Sequence, residues 1–332
     1  MRAAVIGAGG WGTAISLLLA ERAHDVTLWA RSAERAEEIN ITGKNERYLP
    51  GISIPTTIKV TNNAEDLRGN DLYVFAVPSQ SLRAVSILLK DVITSDSALY
   101  VSASKGIERG TLLRMTEVMH EVLGVDHKRL LSFSGPSHAE EVARKIPTVV
   151  VAAGSDERNA TIVRDAFLLP YFRVYSSTDV LGVELAGALK NVIAICAGIL
   201  DGEGYGDNTI AALLTRGLAE MRRLGVALGA DSETFSGVAG LGDLVVTCLS
   251  KHSRNRRVGY ELGQGKTLEE ILSGMSMVAE GVTTTESAKA LATKHNIEMP
   301  IVEEIYKILF ENKDHRQATT DLMLREPKDE RG

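Results

Sequence analysis

Residues 3–14 read Ala-Ala-Val-Ile-Gly-Ala-Gly-Gly-Trp-Gly-Thr-Ala, and this stretch decides the fold class of the chain. An apolar run leads into closely spaced glycines, and a helical pattern follows them. Gly7, Gly9 and Gly12 fit the spacing G-x-G-x-x-G. In that motif the first glycine permits a sharp turn, the second lets the backbone approach a pyrophosphate, and the third lets helix and strand pack closely. We therefore predict a strand, a tight turn and a helix N-terminus that holds the phosphates of a dinucleotide.

The same stretch has two other interpretations. Residues 3–20 carry no formal charge and follow Arg2, as in a signal peptide or a membrane span. The glycines and Trp11 interrupt the apolar run, which argues against both. A glycine-rich turn that binds no ligand is the second alternative. We expect a cytoplasmic protein with no membrane insertion.

The first half of the chain alternates short apolar runs with amphipathic stretches. The predicted strands are Ala3–Gly7, Val26–Trp29, Ile58–Thr61, Leu72–Val77, Ala98–Val101, Leu130–Phe133, Thr148–Ala152 and Phe172–Tyr175. The predicted helices between them include Thr13–Glu21, Ser32–Asn40, Ser81–Lys90, Thr111–Leu123 and Glu157–Leu168. This alternation is typical of βαβ units. It predicts an α/β fold that begins with a Rossmann-type, doubly wound and mostly parallel sheet.

After about Thr178 the pattern becomes helical and rich in Ala and Leu. The predicted helices are Val183–Leu200, Asn208–Leu228, Asn255–Gly263, Thr267–Ser273, Thr284–His295 and Ile301–Phe310. We predict a dinucleotide-binding domain over residues 1–178, an all-α substrate-binding domain over 179–325, and a charged, frayed tail over 326–332. The apolar helical surface of the second domain is compatible with a homodimer, although no residue decides it.

The composition excludes several classes of protein. Lys and Arg number 37 against 43 Asp and Glu, and the net charge of -6 attracts neither nucleic acid nor an anionic membrane. Cys196 and Cys248 each lie in an apolar run, which favours buried free thiols over a disulfide. The sequence has no CxxC motif and no Cys/His cluster, so we predict no metal site. A divalent-ion loop at 201–207 is an alternative to a hinge there.

The end of the second predicted strand bears on the choice of cofactor. A strict NAD enzyme usually carries Asp or Glu here to accept a hydrogen bond from the ribose hydroxyl. This chain has Arg31, 24 residues beyond Gly7, followed by Ser32. An arginine can stack on adenine and pair with a 2′-phosphate. The pattern favours NADP(H), or both cofactors, over NAD alone, and a solvated loop arginine is the alternative.

Reduction of a ketone needs an acid for the developing alkoxide, and an anionic substrate also needs cations. Three places offer such groups: Lys105 after a predicted strand, Lys190 with Asn191 in an apolar helical run, and Asp243 with Ser253-Arg254-Asn255. Glu184 and Gly187 lie six and three residues before Lys190, so neither is an i,i+4 partner that would neutralise it. A lysine on an apolar helix face is often a surface residue with a buried stem, so this pattern alone leaves Lys190 open.

Together these motifs resemble the bacterial-type NAD(P)-dependent glycerol-3-phosphate dehydrogenases. The matching segments are Gly-Ala-Gly-Gly-Trp-Gly-Thr-Ala (7–14), Tyr-Leu-Pro-Gly (48–51), Val-Pro-Ser-Gln (77–80), Ser-Lys-Gly-Ile-Glu (104–108), Ser-Gly-Pro-Ser-His-Ala-Glu-Glu-Val (134–142), Glu-Leu-Ala-Gly-Ala-Leu-Lys-Asn-Val (184–192), Gly-Leu-Gly-Asp-Leu (240–244), Ser-Arg-Asn (253–255) and Val-Ala-Glu-Gly (278–281). They span nearly the whole chain in the family's order.

The resemblance implies reversible interconversion of dihydroxyacetone phosphate and sn-glycerol 3-phosphate, which supplies the backbone for phospholipid synthesis. It implies that Lys190 is the general acid and base at the substrate oxygen. Burial and the neighbouring Lys105 should both lower the lysine pKa from its free value of roughly 10.4. The substrate-binding residues are then Lys105, Gly135, Ser137, Lys190, Asn191, Asp243, Ser253, Arg254 and Asn255. The implied cofactor-binding residues, beside the three motif glycines, are Gly10, Trp11, Arg31, Lys105, Ala139, Arg254, Val278 and Glu280.

One position departs from the family pattern. The family often has serine where this chain has Gly10, and the missing hydroxyl removes one phosphate contact but leaves the backbone donor. His138 lies near the implied site, where a structural role at a helix start and a catalytic role both remain open. The other histidines are expected to be solvated; they are His24, His120, His127, His252, His295 and His315.

Two alternative functions remain open from the sequence. One is another two-domain Rossmann dehydrogenase, acting on a hydroxyacid or on ketopantoate, which has no particular need for Ser253-Arg254-Asn255 as a phosphate grip. The other is a regulator that binds NADPH without turnover, which would not need Lys105, Lys190 and Asp243 together.

Overall fold

The computed structural model describes residues 1–275, 277–327 and 329–330. Eight strands lie in its first part: β1 (Arg2–Ile6), β2 (Asp25–Trp29), β3 (Ile58–Thr61), β4 (Leu72–Phe75), β5 (Leu99–Ser102), β6 (Leu130–Ser134), β7 (Thr148–Gly154) and β8 (Phe172–Ser177). All the predicted strands are confirmed, with ends that move by about one or two residues. The frayed tail predicted over 326–332 lies partly outside the described residues.

The strands form one sheet with the order β3-β2-β1-β4-β5-β6-β7-β8. Strands β1 to β6 pair in parallel, β7 pairs antiparallel with β6, and β8 is parallel to β7. The predicted doubly wound and mostly parallel sheet is therefore confirmed. The winding direction switches between β1 and β4, and ligands bind at the carboxyl ends of strands at such a point. The glycine loop follows β1 and residues 77–80 follow β4, so both lie there.

Helices cover both faces of the sheet because the strands are apolar on both sides. On one face lie α1 (Gly10–Glu21), α2 (Ala33–Thr42) and α6 (Glu157–Phe167), with the short α5 (Ala139–Ala143) against α1. On the other face lie α3 (Leu82–Ile93) and α4 (Met115–Leu123). Successive strand side chains point to opposite faces, so Val5 lies in the first core and Ile6 in the second.

The second part of the chain is helical, as predicted. Its elements are α7 (Val180–Gly202), α8 (Asp207–Ala227), α9 (Ser232–Ser236), a π-helix (Val238–Gly242), α10 (Asp243–Leu249), α11 (Arg254–Gly263), α12 (Leu268–Ser273), α13 (Glu280–Lys294), α14 (Pro300–Phe310) and α15 (His315–Met323). Because β8 ends at Ser177 and α7 begins at Val180, we propose residue 178 as the boundary between the two domains.

Helix α7 is the centre of the helical part, and α8, α10, α11, α13 and α14 pack round it. Among the described helices it alone is long and apolar enough to cross a membrane, and its apolar window is wholly buried inside the protein. A Cβ on Gly198 of α7 would lie 2.0 Å from the Arg256 carbonyl oxygen, and one on Gly259 of α11 would lie 1.9 Å from the Ile195 carbonyl oxygen. The two helix backbones are therefore in direct contact.

Two predicted helix starts are wrong by four residues. The pattern places one at Thr284, but α13 begins at Glu280. It places the other at Thr111, but α4 begins at Met115. Residues 107–114 instead form a narrow loop closed by an antiparallel bridge between Ile107 and Arg114. Leu112 in this loop has a φ of 61°, which a helix does not allow. The apolar residues of this loop thus lie in a turn, although their spacing in the sequence resembles that of a helix.

The expected solvation is wrong for His24 and His315, which are partly buried, whereas His120 is exposed but also makes a local hydrogen bond. The ring Nε2 of His24 lies 3.1 Å from a carbonyl oxygen of α6, and burial lowers its pKa. His120 lies 2.8 Å from a carbonyl oxygen just beyond α4 and stacks on His127. His315 pairs with the buried Glu203. These rings serve as local packing and hydrogen-bonding groups.

Candidate active site

The glycine loop lies between β1 and α1, as predicted. Gly7 has a φ of +115°, and a Cβ there would lie 2.6 Å from the Ala76 carbonyl oxygen. A Cβ on Gly12 would lie 1.8 Å from the Gly7 oxygen, whereas one on Gly9 would meet nothing within 4 Å. Helix α1 begins at Gly10 without a side-chain cap, so its first N–H groups can donate to an anion. The loop fits the pyrophosphate of a dinucleotide.

Two segments pack closely against this loop. A Cβ on Gly10 would lie 2.6 Å from the Tyr48 carbonyl oxygen and 3.6 Å from the Ala139 Cβ. The buried Asn45 donates from Nδ2 to the Ala8 carbonyl oxygen at 3.0 Å. The replacement of the family's serine by Gly10 therefore has a steric consequence besides the loss of a hydroxyl. A side chain at this position would force the segment around Tyr48 to move.

Arg31 lies just beyond β2, at the same sheet edge as the glycine loop, and its side chain is exposed. Ser32 follows it and caps α2 by accepting from the Arg35 backbone nitrogen at 3.3 Å. The guanidinium groups of Arg35 and Arg47 each lie 5.3 Å from the ring centre of Tyr48. The sequence analysis missed this group of Arg35, Arg47 and Tyr48, because a loop separates Arg35 from the other two residues in the chain.

The structure joins three of the predicted site residues through one carboxylate. Lys105, in the loop after β5, donates to Asp243 Oδ2 at 2.7 Å and to the Gly135 carbonyl oxygen at 2.9 Å. Lys190 on α7 lies 2.8 Å from Asp243 Oδ1. Asp243 is the first residue of α10 and is 1% exposed. The two amines therefore share one buried acid at the carboxyl edge of the sheet.

Thr247 orients the Lys190 amine and was not predicted from the sequence. Its Oγ1 accepts from Lys190 Nζ at 2.6 Å and donates to the Asp243 carbonyl oxygen at 2.6 Å. An ammonium group has three donors. The contacts among the described residues account for two of them, to Asp243 and to Thr247. The third donor is left for an oxygen that enters the site. A signal for this contact was the position of Thr247 four residues after Asp243, but no helix was predicted over residues 243–249.

Burial and charge set the proton affinity of this centre. Burial lowers the pKa of Lys190, Asp243 opposes that effect and the charge of Lys105 adds to it, which leaves the pKa at about 8. This confirms the predicted direction. Burial raises the pKa of the Asp243 carboxyl, but Lys105 and Lys190 outweigh burial and hold it below its usual range. Asp243 is therefore ionised while Lys190 can gain and lose a proton near neutral pH.

Gly135 and Ser137 follow β6 and complete this side of the site. Gly135 has a φ of +144°, and a Cβ there would lie 2.9 Å from the Val150 Cα, so the position requires glycine. Its carbonyl oxygen accepts from Lys105 and also from Ser137 Oγ at 2.9 Å. The strained turn thus places a backbone acceptor beside the Lys105 amine.

A chain of amide hydrogen bonds links α7, α11 and α13. Asn255 Nδ2 donates to Asn191 Oδ1 at 2.9 Å, and Asn255 Oδ1 accepts from the Gly281 backbone nitrogen at 2.8 Å. Ser253 caps α11 by accepting from the Arg256 backbone nitrogen at 3.2 Å. Asn191 and Asn255 are thus partnered within the protein, and the N-terminus of α11 is set beside Lys190.

Of the remaining predicted cofactor residues, Glu280 joins the two parts of the chain, whereas Arg254 and Val278 contact each other within the helical part. Arg254 donates to the Val278 carbonyl oxygen at 3.1 Å. Glu280 accepts from the Ser79 backbone nitrogen at 2.9 Å and pairs with the Ser79 hydroxyl, which joins α13 to the turn after β4. Burial raises the pKa of Glu280 against these hydrogen bonds. Trp11 lies beside the glycine loop, and its buried Nε1 has no hydrogen-bond partner among the described residues.

His138 precedes α5, but its side chain makes no cap hydrogen bond. Burial lowers the pKa of His138, and the charges of Lys190 and Lys105 lower it further. The imidazole is therefore neutral and lies near the two amines. The His138 side chain therefore does not cap α5.

Family models match both parts of the chain. The model described as NAD-dependent glycerol-3-phosphate dehydrogenase N-terminus matches residues 2–160, and the model of the C-terminus of the same enzyme matches residues 179–320. The chain belongs to the NAD-dependent glycerol-3-phosphate dehydrogenase family. The resemblance stated from the sequence motifs is confirmed.

Individual members of the family match over the full length. The chain is 51% identical to an NAD(P)+ glycerol-3-phosphate dehydrogenase of Chlorobium phaeobacteroides (strain BS1), with 100% of both chains covered. It is 52% identical to one of Citrifermentans bemidjiense, with 98% of both chains covered. The crystal structure of a glycerol-3-phosphate dehydrogenase from Coxiella burnetii is 39% identical and superposes with a TM-score of 0.93, covering 98% of this chain and 99% of its own.

Proposed function

We propose that the protein interconverts dihydroxyacetone phosphate and sn-glycerol 3-phosphate with NADP(H) or NAD(H), and that Lys190 is its general acid and base. The family membership supports the reaction and the cofactor class. The observation that supports the role of Lys190 is its amine, buried beside Asp243 and Thr247, with one donor left for a substrate oxygen. The product is the glycerol phosphate backbone of phospholipids, and we propose a cytoplasmic location.

The dinucleotide fits the cleft at the switch point between β1 and β4. The backbone of Gly9 and Gly10 would hold its pyrophosphate, and Arg31 would face the adenosine end. Ala139, Val278 and Glu280 would lie along the rest of the molecule, with Trp11 beside the loop. When bound, the nicotinamide supplies the hydride that reduces the carbonyl carbon.

The protein's own groups handle the oxygen of the substrate. In the reductive direction the Lys190 ammonium donates a hydrogen bond to the carbonyl oxygen and then transfers its proton as the C–O bond becomes an alcohol. Asp243 keeps the amine in place and stabilises its charged form. In the oxidative direction the neutral amine removes the hydroxyl proton. A lysine with a pKa of about 8 can perform both steps near neutral pH.

The phosphate group of the substrate would be held at the start of α11. This helix has ten residues and carries Arg254 at its first turn. A helix N-terminus favours an anion, and a guanidinium can bind phosphate through two parallel hydrogen bonds. Ser253 and Asn255 flank Arg254, and Ser137 with Gly135 would line the opposite wall. Lys105 would stand between the substrate and the nicotinamide.

Loss of NADPH absorbance on addition of a ketone tests the proposal. We expect rapid oxidation of NADPH with dihydroxyacetone phosphate, and none with ketopantoate or without substrate. Activity on ketopantoate alone would assign the chain to the rival reductase, and NADPH binding without turnover would indicate a regulator. Initial rates with NADH and NADPH give the cofactor preference, and sedimentation at several concentrations tests the expected homodimer.

A further inference from the structure

A buried carboxylate ties the helix of Lys190 to the other part of the chain. Glu184 lies in the second turn of α7, and its side chain is 3% exposed. The carboxylate accepts from the Thr116 backbone nitrogen at 2.8 Å and from Thr116 Oγ1 at 2.7 Å. It also pairs with Arg114 at 2.5 Å. The N-terminus of α4 therefore holds α7 through three hydrogen bonds to the Glu184 carboxylate, and Glu117 of α4 in turn pairs with Arg114 at 2.7 Å.

Arg114 also closes the loop that begins at Lys105. Its backbone bridges Ile107, and the Glu108 backbone nitrogen donates to the Leu113 carbonyl oxygen at 2.9 Å. The loop is narrow and returns to the start of α4. A displacement of Arg114 would therefore be transmitted to the segment that carries Lys105.

The stretch of α7 between Glu184 and Lys190 has little room to slide. A Cβ on Gly187, one turn after Glu184, would lie 2.7 Å from Ser134 Oγ and 3.7 Å from the Lys105 Cγ. The helix thus passes in close contact with the end of β6 and with the Lys105 stem. Lys190 follows on the next turn, so the attachment at Glu184 fixes how far along the sheet edge its amine is placed.

We propose that Glu184 is a positioning residue for the reaction, because its attachment to α4 sets the separation between the amines of Lys105 and Lys190 that share Asp243. The inference rests on the proposed role of Lys190. A buried ion pair is weak evidence for stability by itself, since the loss of hydration offsets much of the attraction. Accurate placement, in contrast, has a large effect on rate, because a displacement of about 1 Å can cost on the order of 100-fold.

Because different charged groups surround Lys190 and Glu184, a positioning effect of Glu184 can be distinguished from a direct electrostatic effect on Lys190. The groups that act on Lys190 are Asp243 and Cys248 from α10 and Lys105 from its loop, with His138 facing it before α5. Glu184 faces Arg114 and Glu117 of α4 instead. A change in the proton affinity of Lys190 on altering Glu184 would therefore report a displacement of α7 or of the Lys105 loop.

Glu184→Gln tests the inference because it keeps the side-chain shape and removes the charge. We expect kcat to fall on the order of 10- to 100-fold, with the KM for NADPH within about 2-fold of wild type. The midpoint of the high-pH limb of kcat should move upward, because a loosened site admits water and relieves the burial of Lys190. Glu65→Gln is the matched control. It removes an exposed ion pair with Arg68 between β3 and β4 and should change none of these quantities.

Thr116→Val provides a milder variant if Glu184→Gln does not fold. It removes one hydrogen bond to Glu184 and leaves the charge pair, so we expect the same changes with smaller size. Lower thermal stability with unchanged kcat and an unchanged midpoint, in either folded variant, would overturn the inference. Lys190→Ala in the same assay separates the two proposals. If it is active the proposed function fails, whereas an inactive Lys190→Ala beside an unaffected Glu184→Gln overturns the positioning role alone.

Discussion

Lys190 shows how burial and pairing oppose each other at a single side chain. Removing the ammonium group from water disfavours its charge, and the carboxylate of Asp243 restores part of the loss. Without that carboxylate the pKa of the amine would be lower still, and less of the amine would carry the proton that it donates. Without burial it would hold its proton too tightly to act as a base. The site needs both effects.

The first prediction concerns this amine directly. Lys190→Ala removes the proton donor, so we expect kcat to fall by roughly 100- to 10,000-fold. Binding of NADPH should be retained, because the glycine loop belongs to the sheet. Steady-state kinetics and a fluorescence titration with NADPH measure the two quantities. Lys294→Ala on the surface of α13 is the control and should resemble wild type. An alanine variant with wild-type kcat would assign the proton to another group.

The second prediction is the pH dependence of the reaction. Reduction of the ketone requires protonated Lys190, so its kcat should be level below pH about 8 and fall above it. Oxidation of the alcohol requires the neutral amine, so its kcat should rise through the same pH. Profiles measured in both directions should therefore mirror each other. If kcat rose with pH in both directions of reaction, or fell with pH in both, the assignment of one group to both steps would be contradicted.

Several residues of the site were predictable, and others were not. Lys105, Lys190 and Asp243 stand in motifs that can be read locally. The contacts of Thr247 with Lys190 across 57 positions and of Glu184 with Thr116 across 68 positions are made only because the fold brings these residues together. No local period or spacing carries that information. The roles assigned to the site residues stay predictions until they are tested.

At the scale of elements, the strands and the long helices were predicted, and so was the six-residue α12, whereas α5, α9, α10 and α15 were missed. The strands and the long helices bury continuous apolar faces, which set a clear period in the sequence. Helices α5 and α9 have five residues each, which is less than two turns and too short to show such a period. Residues 111–114 were predicted as the start of a helix because Leu112 and Leu113 fit the helical period, but a turn in the 107–114 loop holds them.

The third prediction concerns the crossing of α7 and α11. Gly259→Ala would place a Cβ 1.9 Å from a carbonyl oxygen of α7, so the helices must separate. We expect the free energy of unfolding to fall by about 1–3 kcal/mol or more, measured by urea denaturation. Gly274→Ala, after α12, is the control because its nearest neighbour would be 3.6 Å away. Equal stability of the two variants would show that the helices adjust without cost.

At the scale of the whole molecule, the site needs both parts of the chain. The sheet contributes the glycine loop, Lys105 and Gly135, and the helical part contributes Lys190 and Asp243. The contacts of Glu280 with Ser79 and of Glu184 with Arg114 join the two parts on either side of the site. The sequence predicted the two parts, but it gave no way to tell how they are joined.

The fourth prediction concerns the stability of the molecule against pH. The buried Glu220 of α8 accepts from the backbone nitrogens of Ile301 and Val302 at the start of α14. Burial raises the pKa of Glu220 from 4.5 to about 7, against these hydrogen bonds. The folded state therefore binds the proton more tightly than the unfolded chain, and its stability falls as the pH rises from about 4.5 to 7.

Glu220→Gln removes this titration. Relative to the variant, the wild-type free energy of unfolding should fall by about 3 kcal/mol between pH 4.5 and 8, on the order of 1.36 kcal/mol for each unit of pKa. Urea denaturation across this range measures it. Glu269→Gln at the exposed start of α12 is the control and should follow wild type. A constant difference between wild type and Glu220→Gln at every pH would contradict the prediction.

The buried position of α7 has a consequence for synthesis on the ribosome. The most apolar 18-residue window of the helix has a mean hydropathy of 1.7, and the helices that surround it, from α8 to α14, all follow it in the chain. In a nascent polypeptide that has emerged only as far as α7, this segment has the character of a membrane anchor and is covered only by its contacts with the sheet and with the start of α4. Until translation passes Phe310, that segment is a binding target for chaperones, and a prematurely released fragment would aggregate.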